Sequence, residues 1–109
     1  MSRVFVIQNS MIRRHGEWVP KFNVSSASKF GELVSLTDHG VSMHDMPRIT
    51  KEFRNDLQDF SPDDYLLTIG SPVLIGIACA IAAEHSDILN FVQWDKMSRM
   101  YLAVTVDLR

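Results

Sequence analysis

The turn Gly70-Ser71-Pro72 combines residue types that can bind an anion. It follows a short apolar run and precedes an almost wholly apolar segment, so it is predicted to join a strand to the N-terminus of a helix. In α/β proteins such turns bind phosphates and nucleotides. However, neither a G-x-G-x-x-G nor a P-loop pattern is present, and Pro72 lacks an N–H donor. Gly70 and Ser71 are therefore candidate anion-binding residues, with a plain strand-to-helix turn as the competing interpretation.

Basic and aromatic residues near two predicted turns indicate a recognition surface. Arg13, Arg14 and Trp18 lie in the longest excursion between predicted strands, and Trp94 and Arg99 flank the last turn. Arg and Trp are the residue types that most often dominate the energy of protein interfaces. These five residues are predicted to contact a protein partner, with a solvated hairpin tip as the alternative for the first group.

The remaining reactive side chains form no catalytic pattern. His39 and His44 have the spacing H-x4-H, which is not a specific metal signature. Asp63 and Asp64 are adjacent, so on a strand they would point to opposite faces. Cys79 has apolar neighbours, whereas reactive cysteines need an electropositive and partly exposed setting. No catalytic residue, metal or cofactor is therefore predicted.

Composition limits the class of protein. The chain has 109 residues, 46% hydrophobic and 22% charged, with a formal net charge of −2. This length predicts one domain spanning residues 1–109, and the charge disfavours a general nucleic-acid binder. No apolar run is long enough for a membrane span. Cys79 is the only cysteine, which rules out an intramolecular disulfide and fits a cytoplasmic setting.

Periodicity predicts the elements that would position these residues. A βαβ unit extends from Asp63 to Asp95, and a small hairpin turning at His15-Gly16 precedes it. The predicted strands are Arg3–Gln8, Glu32–Thr37, Tyr65–Ile69, Ile88–Trp94 and Met100–Leu108, and the main helices are Pro47–Phe60 and Val73–Ala83, with one helical turn over Ser25–Phe30. The predicted fold is a compact α/β domain with a mostly parallel mixed sheet of about five strands, two main helices and an antiparallel C-terminal hairpin.

Alternation along the last strand predicts which residues face the core. The residues expected to point inward are Met100, Leu102, Val104, Val106 and Leu108, and those expected to point outward are Tyr101, Ala103, Thr105 and Asp107. One core is predicted to contain Leu102, Val104 and Val106 together with apolar residues of the βαβ unit, namely Ile69, Val73, Ile77, Ile81, Ile88 and Val92.

Three short segments carry a resemblance to a known group of proteins. They are Asp59-Phe60-Ser61, Gly70-Ser71-Pro72 and Trp94-Asp95, within a pattern that covers nearly the whole chain. This pattern resembles small uncharacterised accessory proteins of tailed bacteriophages. The resemblance implies an accessory protein that acts in the bacterial host cytoplasm, and it brings no activity, cofactor or site residue.

Two main hypotheses of function follow. The first is a non-enzymatic phage accessory protein that binds a host or phage protein, modulates or inhibits it, and self-associates, for example as a homodimer. The alternative is a small nucleotide- or phosphate-binding enzyme that uses the Gly70-Ser71-Pro72 turn. Nucleic-acid binding through Arg13, Arg14, Lys21, Lys96 and Arg99 is disfavoured by the net charge.

Overall fold

A computed structural model describes residues 2–37 and 44–109. In these residues the strands are β1 (Arg3–Val6), β2 (Met11–Arg14), β3 (Glu17–Pro20), β4 (Glu32–Ser35), β5 (Tyr65–Leu67), β6 (Ile88–Asp95) and β7 (Met100–Asp107). The helices are a 3₁₀ helix (Ser25–Phe30), α1 (Met46–Asp56) and α2 (Pro72–His85).

Five strands form the main sheet in the order β4-β1-β5-β6-β7. The first four are parallel to one another, and β7 is antiparallel to β6. Strands β2 and β3 form a separate antiparallel hairpin that turns at His15 and Gly16. The predicted fold class, including the C-terminal hairpin, is confirmed.

The strand order explains why the two faces of the sheet are covered differently. The chain moves from β1 to β4 in one direction and then returns past β1 to β5 and β6. Right-handed crossovers in opposite directions must pass over opposite faces of a sheet. The connection from β1 to β4 therefore lies on one face, and the connections from β4 to β5 and from β5 to β6 lie on the other. Accordingly, α1 and α2 pack against the face with Phe5 and Leu66, while the 3₁₀ helix covers the face with Val4 and Val92.

Local signals fix the start of α2 as predicted. The Ser71 side chain caps the helix by accepting a hydrogen bond from the Val73 N–H at 3.3 Å, and Pro72 occupies the first turn. Two other helical predictions need correction. Helix α1 ends at Asp56 instead of Phe60, since the chain tightens so that Phe60 N–H donates to the Leu57 carbonyl, three residues back. Ser25 was predicted to cap the helical turn, but the 3₁₀ helix begins after Val24 and Ser25 lies inside it.

The prediction of one core was wrong, because the sheet separates two. Ile81 is buried on the α1–α2 face, and Val92 is buried on the opposite face. The inward-facing set on β7 was also wrong. Leu102, Val104 and Val106 are exposed, as are Val73, Met100 and Leu108. Buried Tyr101, predicted to face outward, is the β7 residue in the second core.

Strand β7 departs from the prediction because its position in the sheet puts it beside the helices instead of beneath them. The buried core under α1 and α2 reaches Leu89 of β6, and Phe91 is partly buried against it. The alternation along β7 is regular, but none of its exposed apolar residues belongs to the buried core that α1 and α2 cover.

Candidate functional site

The β2–β3 hairpin carries the first group of predicted site residues. Its turn residues have positive φ angles, 50° at His15 and 81° at Gly16, which matches the twist of a tight two-residue hairpin. Arg13 lies directly opposite Trp18, so the two side chains share one face of the hairpin. Both are exposed, and Trp18 is 65% exposed. Arg14 is exposed on the opposite face, across from Glu17, which the sequence alone did not separate.

The base of the hairpin is held by Asn9, a residue that sequence reasoning missed. Its side-chain amide donates to the Phe22 carbonyl at 2.8 Å and accepts from the Phe22 N–H at 3.1 Å. The Lys21 N–H also donates to the Ser10 carbonyl at 2.7 Å. An Asn just after a strand, facing the return of a long excursion, is the available sequence signal. These bonds fix the direction in which Trp18 is presented.

An open groove lies where the hairpin meets the sheet. One part, of about 290 Å³, is lined by Val6, Met11 and Leu33 among others. A second part, of about 400 Å³, shares Leu33 and adds polar and basic residues that include Arg14 and Lys21. The groove therefore combines an apolar floor with a basic rim.

Phe22 adds an exposed ring to the second part of this groove. The ring is 47% exposed, and the Lys21 ammonium nitrogen lies 5.4 Å from its centroid, within range of a cation–π contact. Sequence reasoning did not select Phe22, although it directly follows Pro20 and Lys21 at the end of the excursion.

Trp94 lies on the same face of the sheet as the hairpin connection. It packs edge-on against Tyr101, with 5.0 Å between the ring centroids, and is 47% exposed. The Tyr101 hydroxyl donates to the carbonyl of Asn23, which lines the groove. Trp94 is thus linked through Tyr101 to the hairpin base, whereas Arg99 lies in the exposed β6–β7 turn. We call Arg13, Arg14, Trp18, Lys21, Phe22 and Trp94 the hairpin surface, which includes both faces of the hairpin because Arg14 lies on the face opposite to that of Arg13 and Trp18.

The Gly70-Ser71 turn has a different arrangement. Strand order reverses between β1 and β5, which is the place where α/β proteins bind ligands at the carboxyl ends of strands. Here the Ser71 N–H donates to Oε1 of Gln8 at 2.7 Å, and the Val73 N–H is taken by Ser71 itself. The Gln8 side chain thus holds a donor that an anion would use. Anion binding by Gly70 and Ser71 stays a prediction.

A buried carboxylate next to β5 has structural partners throughout. Asp64 is 1% exposed and accepts bonds from the Arg3 guanidinium, with 2.8 Å between Nη2 and Oδ2, and from the Arg3 and Ser61 backbone N–H groups. Burial acts to raise the pKa of Asp64, but these hydrogen bonds outweigh it and hold the pKa below its ordinary value. This carboxylate ties the start of β1 to the turn before β5.

The other reactive groups predicted from the sequence are His39, His44 and Cys79. Residues 2–37 and 44–109 contain no cluster of three His, Cys, Asp or Glu side chains that could hold a metal ion. His39 and the rest of 38–43 lie outside these residues. Burial raises the pKa of the Cys79 thiol, which disfavours the reactive thiolate. No helix of the described residues has the length and apolar character needed to cross a membrane.

Fold and site together define a small α/β protein with an exposed aromatic and basic surface on a hairpin. The model of the Phage Pam3 gp32-like protein family matches residues 2–108, so the chain belongs to this family and is a phage protein. The predicted resemblance to phage proteins is thereby confirmed. The comparison with curated proteins and the comparison with solved structures each gave no match.

Proposed function

We propose that this phage protein acts without catalysis, in the host cytoplasm, by binding a host or phage protein through the hairpin surface and modulating it. The observation that carries the proposal is the placement of Trp18. It stands 65% exposed on a hairpin whose base is hydrogen-bonded, directly opposite Arg13.

An indole in this position supports binding more than stability. Trp18 contributes little to either buried core, yet its large apolar surface faces water. Binding residues concentrate on loops and hairpins that a rigid scaffold holds in place. Because Trp and Arg bury much area when a partner covers them, truncation at such a pair typically costs about 2 kcal/mol or more of binding free energy.

The groove beside the hairpin has the layout of an interface. Apolar side chains line its floor, exposed Phe22 and basic Arg14 and Lys21 line its second part, and Trp94 is connected to the groove residue Asn23 through Tyr101. Interfaces commonly have such an apolar centre and polar rim. An apolar anchor from the partner would fit this floor.

The charge of the hairpin region selects an acidic partner. Residues 9–22 contain Arg13, Arg14, Lys21 and Glu17, which gives +3 − 1 = +2, while the whole chain carries −2. The remaining residues therefore carry −4. This separation of charge would orient the hairpin toward an acidic protein surface and would raise the rate of encounter at low salt.

The test is a comparison of wild type with the triple variant Arg13→Ala, Arg14→Ala, Trp18→Ala. Tagged wild-type protein is used to capture partners from infected host cells, and each captured protein is then purified and titrated by calorimetry. We expect the triple variant to keep its thermal midpoint within a few degrees and to lose about thirtyfold or more in affinity.

A matched control carries changes on the exposed face of α1, Arg48→Ala and Lys51→Ala. It removes two positive charges, as the triple variant does, but leaves the hairpin unchanged. Equal affinity of wild type and triple variant for every purified partner would contradict the role of the hairpin surface. An equal loss of affinity in the control would show that the triple variant acts only through its change in net charge.

The alternative, a small phosphate- or nucleotide-binding enzyme, rests on the position of the Gly70 turn where strand order reverses. Anion binding at this turn requires Gln8 to release the Ser71 N–H, because Oε1 of Gln8 accepts a hydrogen bond from it at 2.7 Å. Titration with inorganic phosphate and with ATP, followed through the Ser71 amide signal by NMR, tests it. A saturable shift at Ser71 that grows in Gln8→Ala would support anion binding, and an unchanged signal in both proteins would dismiss it.

A further inference from the structure

In the described residues, strand β7 is an open edge of the main sheet, and its sequence lacks the usual protection. It is eight residues long, from Met100 to Asp107, and lies last in the strand order. Edge strands are normally protected by Lys, Pro, bulges or short length. Strand β7 contains neither Lys nor Pro, and its pairing with β6 is continuous from Ile88 opposite Asp107 to Asp95 opposite Met100.

The hydrogen bonds inside the sheet show which backbone groups of β7 point outward. The Thr68 N–H donates to the Val92 carbonyl, so the backbone of Val92 points toward β5. Ala103, directly opposite Val92, therefore points its own N–H and carbonyl away from β6, toward the open edge. By alternation, the same holds for Tyr101 and Thr105. These groups are arranged to receive another strand.

One face of the same strand is apolar and exposed. Met100, Leu102, Val104 and Val106 share the face on the α2 side of the sheet, and Val104 is 43% exposed. Neighbouring Phe91 on β6 and Cys79 on α2 are only partly buried. The free edge and the apolar face thus coincide on one strand.

We propose that two copies of the chain form a homodimer by antiparallel pairing of β7 with β7 about a two-fold axis at Ala103. This goes beyond the binding of another protein by the hairpin surface, which uses different residues. The pairing joins two five-stranded sheets into one continuous sheet. The occupant of the open edge is therefore a second copy of this chain.

Charge favours this register over the neighbouring one with the axis at Val104. Outward-pointing residues must face one another, which restricts the two-fold axis to a few positions. With the axis at Ala103, Asp107 at the end of β7 lies beside the β6–β7 turn of the second copy, where exposed Arg99 precedes Met100, and the arrangement occurs twice by symmetry. With the axis at Val104, Arg109, which follows β7, would lie beside that turn instead. The first register brings a carboxylate toward Arg99, whereas the second brings a guanidinium.

The apolar face fits the same register. Leu102 comes opposite Val104 of the second copy, and Met100 comes opposite Val106. Both are positions where the backbones do not exchange hydrogen bonds, so the side chains approach most closely there. Each dimer thus gains four apolar cross-strand contacts in addition to the backbone bonds.

Oligomeric state in solution provides the first test. Sedimentation equilibrium of the full chain, over about a hundredfold range of concentration, should show a reversible monomer–dimer equilibrium for wild type. Ala103→Pro removes the N–H at the axis while leaving the β6 ladder intact, since that N–H points to the open edge. It should be monomeric, whereas Ala103→Val, which keeps the N–H, should still dimerise.

Charge reversal provides the second test. Arg99→Glu and Asp107→Arg should each weaken the homodimer by about tenfold, because each creates two like-charge contacts. An equimolar mixture of the two variants should recover dimer, since the heterodimer pairs Glu with Arg and Arg with Asp. Arg109→Ala is the control. Asp107 contacts Arg109 within the chain, with 2.8 Å between Oδ2 and Nη2. Asp107→Arg and Arg109→Ala both remove that contact, but only Asp107→Arg places a positive charge near Arg99 of the second copy.

Several results would overturn the proposal. They are a wild-type protein that stays monomeric over the whole range, a dimer that persists in Ala103→Pro, and a mixture of charge variants that does not recover dimer. Circular dichroism of each variant confirms that the monomer is folded. A dimer abolished by the Arg13, Arg14 and Trp18 changes but not by Ala103→Pro would place the contact on the hairpin surface instead.

Discussion

At the scale of single residues, Asp64 shows how hydrogen bonds to neighbouring residues satisfy a buried charged group. Its oxygens accept hydrogen bonds from two backbone N–H groups, the Ser61 hydroxyl and the Arg3 guanidinium. Arg3 also contacts Asp59, with 3.1 Å between Nη1 and Oδ1. A perturbed pKa in such a network indicates structure, because every partner of the carboxylate is part of the fold.

The first prediction concerns Asp64→Asn. The amide would turn an NH₂ group toward donors that now face a carboxylate, so the free energy of unfolding at pH 7 should fall by roughly 3–5 kcal/mol. Urea unfolding measures this. Asp63→Asn, which changes an exposed neighbour, is the control and should shift the value by less than about 0.5 kcal/mol.

The second prediction is the pH dependence that follows from the lowered pKa of Asp64. A group whose pKa is lower in the folded state stabilises the fold above its unfolded pKa of about 3.9. That stability is lost as the pH falls through the folded value. Below about pH 5, wild type should therefore lose stability more steeply than Asp64→Asn in urea unfolding. Parallel pH curves for the two proteins would disprove this assignment.

The third prediction concerns two glycines. Gly70 has a φ of 116°, and an added Cβ would lie 2.4 Å from Cβ of Gln8, so Gly70→Ala should cost roughly 2 kcal/mol or more. Gly76 is inside α2 with open space around an added Cβ, so Gly76→Ala should stabilise by roughly 0.5–1 kcal/mol. Thermal unfolding of both variants checks the opposite signs.

At the scale of elements, the β2–β3 hairpin is a small sheet joined to the rest of the molecule mainly at its base. Its own pairing runs from Met11 opposite Pro20 to Arg14 opposite Glu17, and Asn9 then ties the base to Phe22. Because two-stranded hairpins are only marginally stable alone, this base decides how firmly Trp18 is held.

The fourth prediction is local opening of the hairpin in Asn9→Ala. The change removes both bonds to Phe22, so amide hydrogen exchange in β2 and β3 should accelerate by about tenfold, while exchange in β5 and β6 stays unchanged. Asn55→Ala on exposed α1 is the control. Uniform acceleration over the whole chain would show that the hairpin opens only with global unfolding.

At the scale of the whole molecule, the main sheet separates two cores, one on each of its faces. Helices α1 and α2 enclose the larger core, and the 3₁₀ helix with the adjoining segment encloses the smaller one. The two faces are covered by connections that cross in opposite directions. The side chains of one core therefore lie on the opposite face of the sheet from those of the other core.

The fifth prediction is additivity between the cores. Ile81→Val should cost about 1 kcal/mol and Val92→Ala about 2 kcal/mol, and the double variant should cost their sum within about 0.5 kcal/mol. Denaturant unfolding followed by circular dichroism and by tryptophan fluorescence gives all three values. Coincident single transitions would also support the prediction of one domain, while separate transitions would contradict it.

The sequence by itself determined the elements and their order. The turn at His15-Gly16, the cap at Ser71 and the alternation from Met100 to Asp107 are local signals, since each depends on neighbours within a few residues. Short connections then made β6 and β7 antiparallel, and the helix between β5 and β6 made those strands parallel. The exposed Arg13, Trp18 and Trp94 were also selected from sequence, because large aromatic and basic residues in a turn-rich segment have little opportunity for burial.

Only the tertiary structure decided what covers each face and which distant residues meet. Alternation places Leu102 and Val104 on one face of a strand, but the path of α2 leaves that face exposed. Gln8 and Ser71 are far apart in the chain, yet strand order brings their ends together. Local sequence encodes periodicity and turn chemistry within a few residues, whereas coverage and contact depend on strand order and helix path, which the whole chain settles together when it folds.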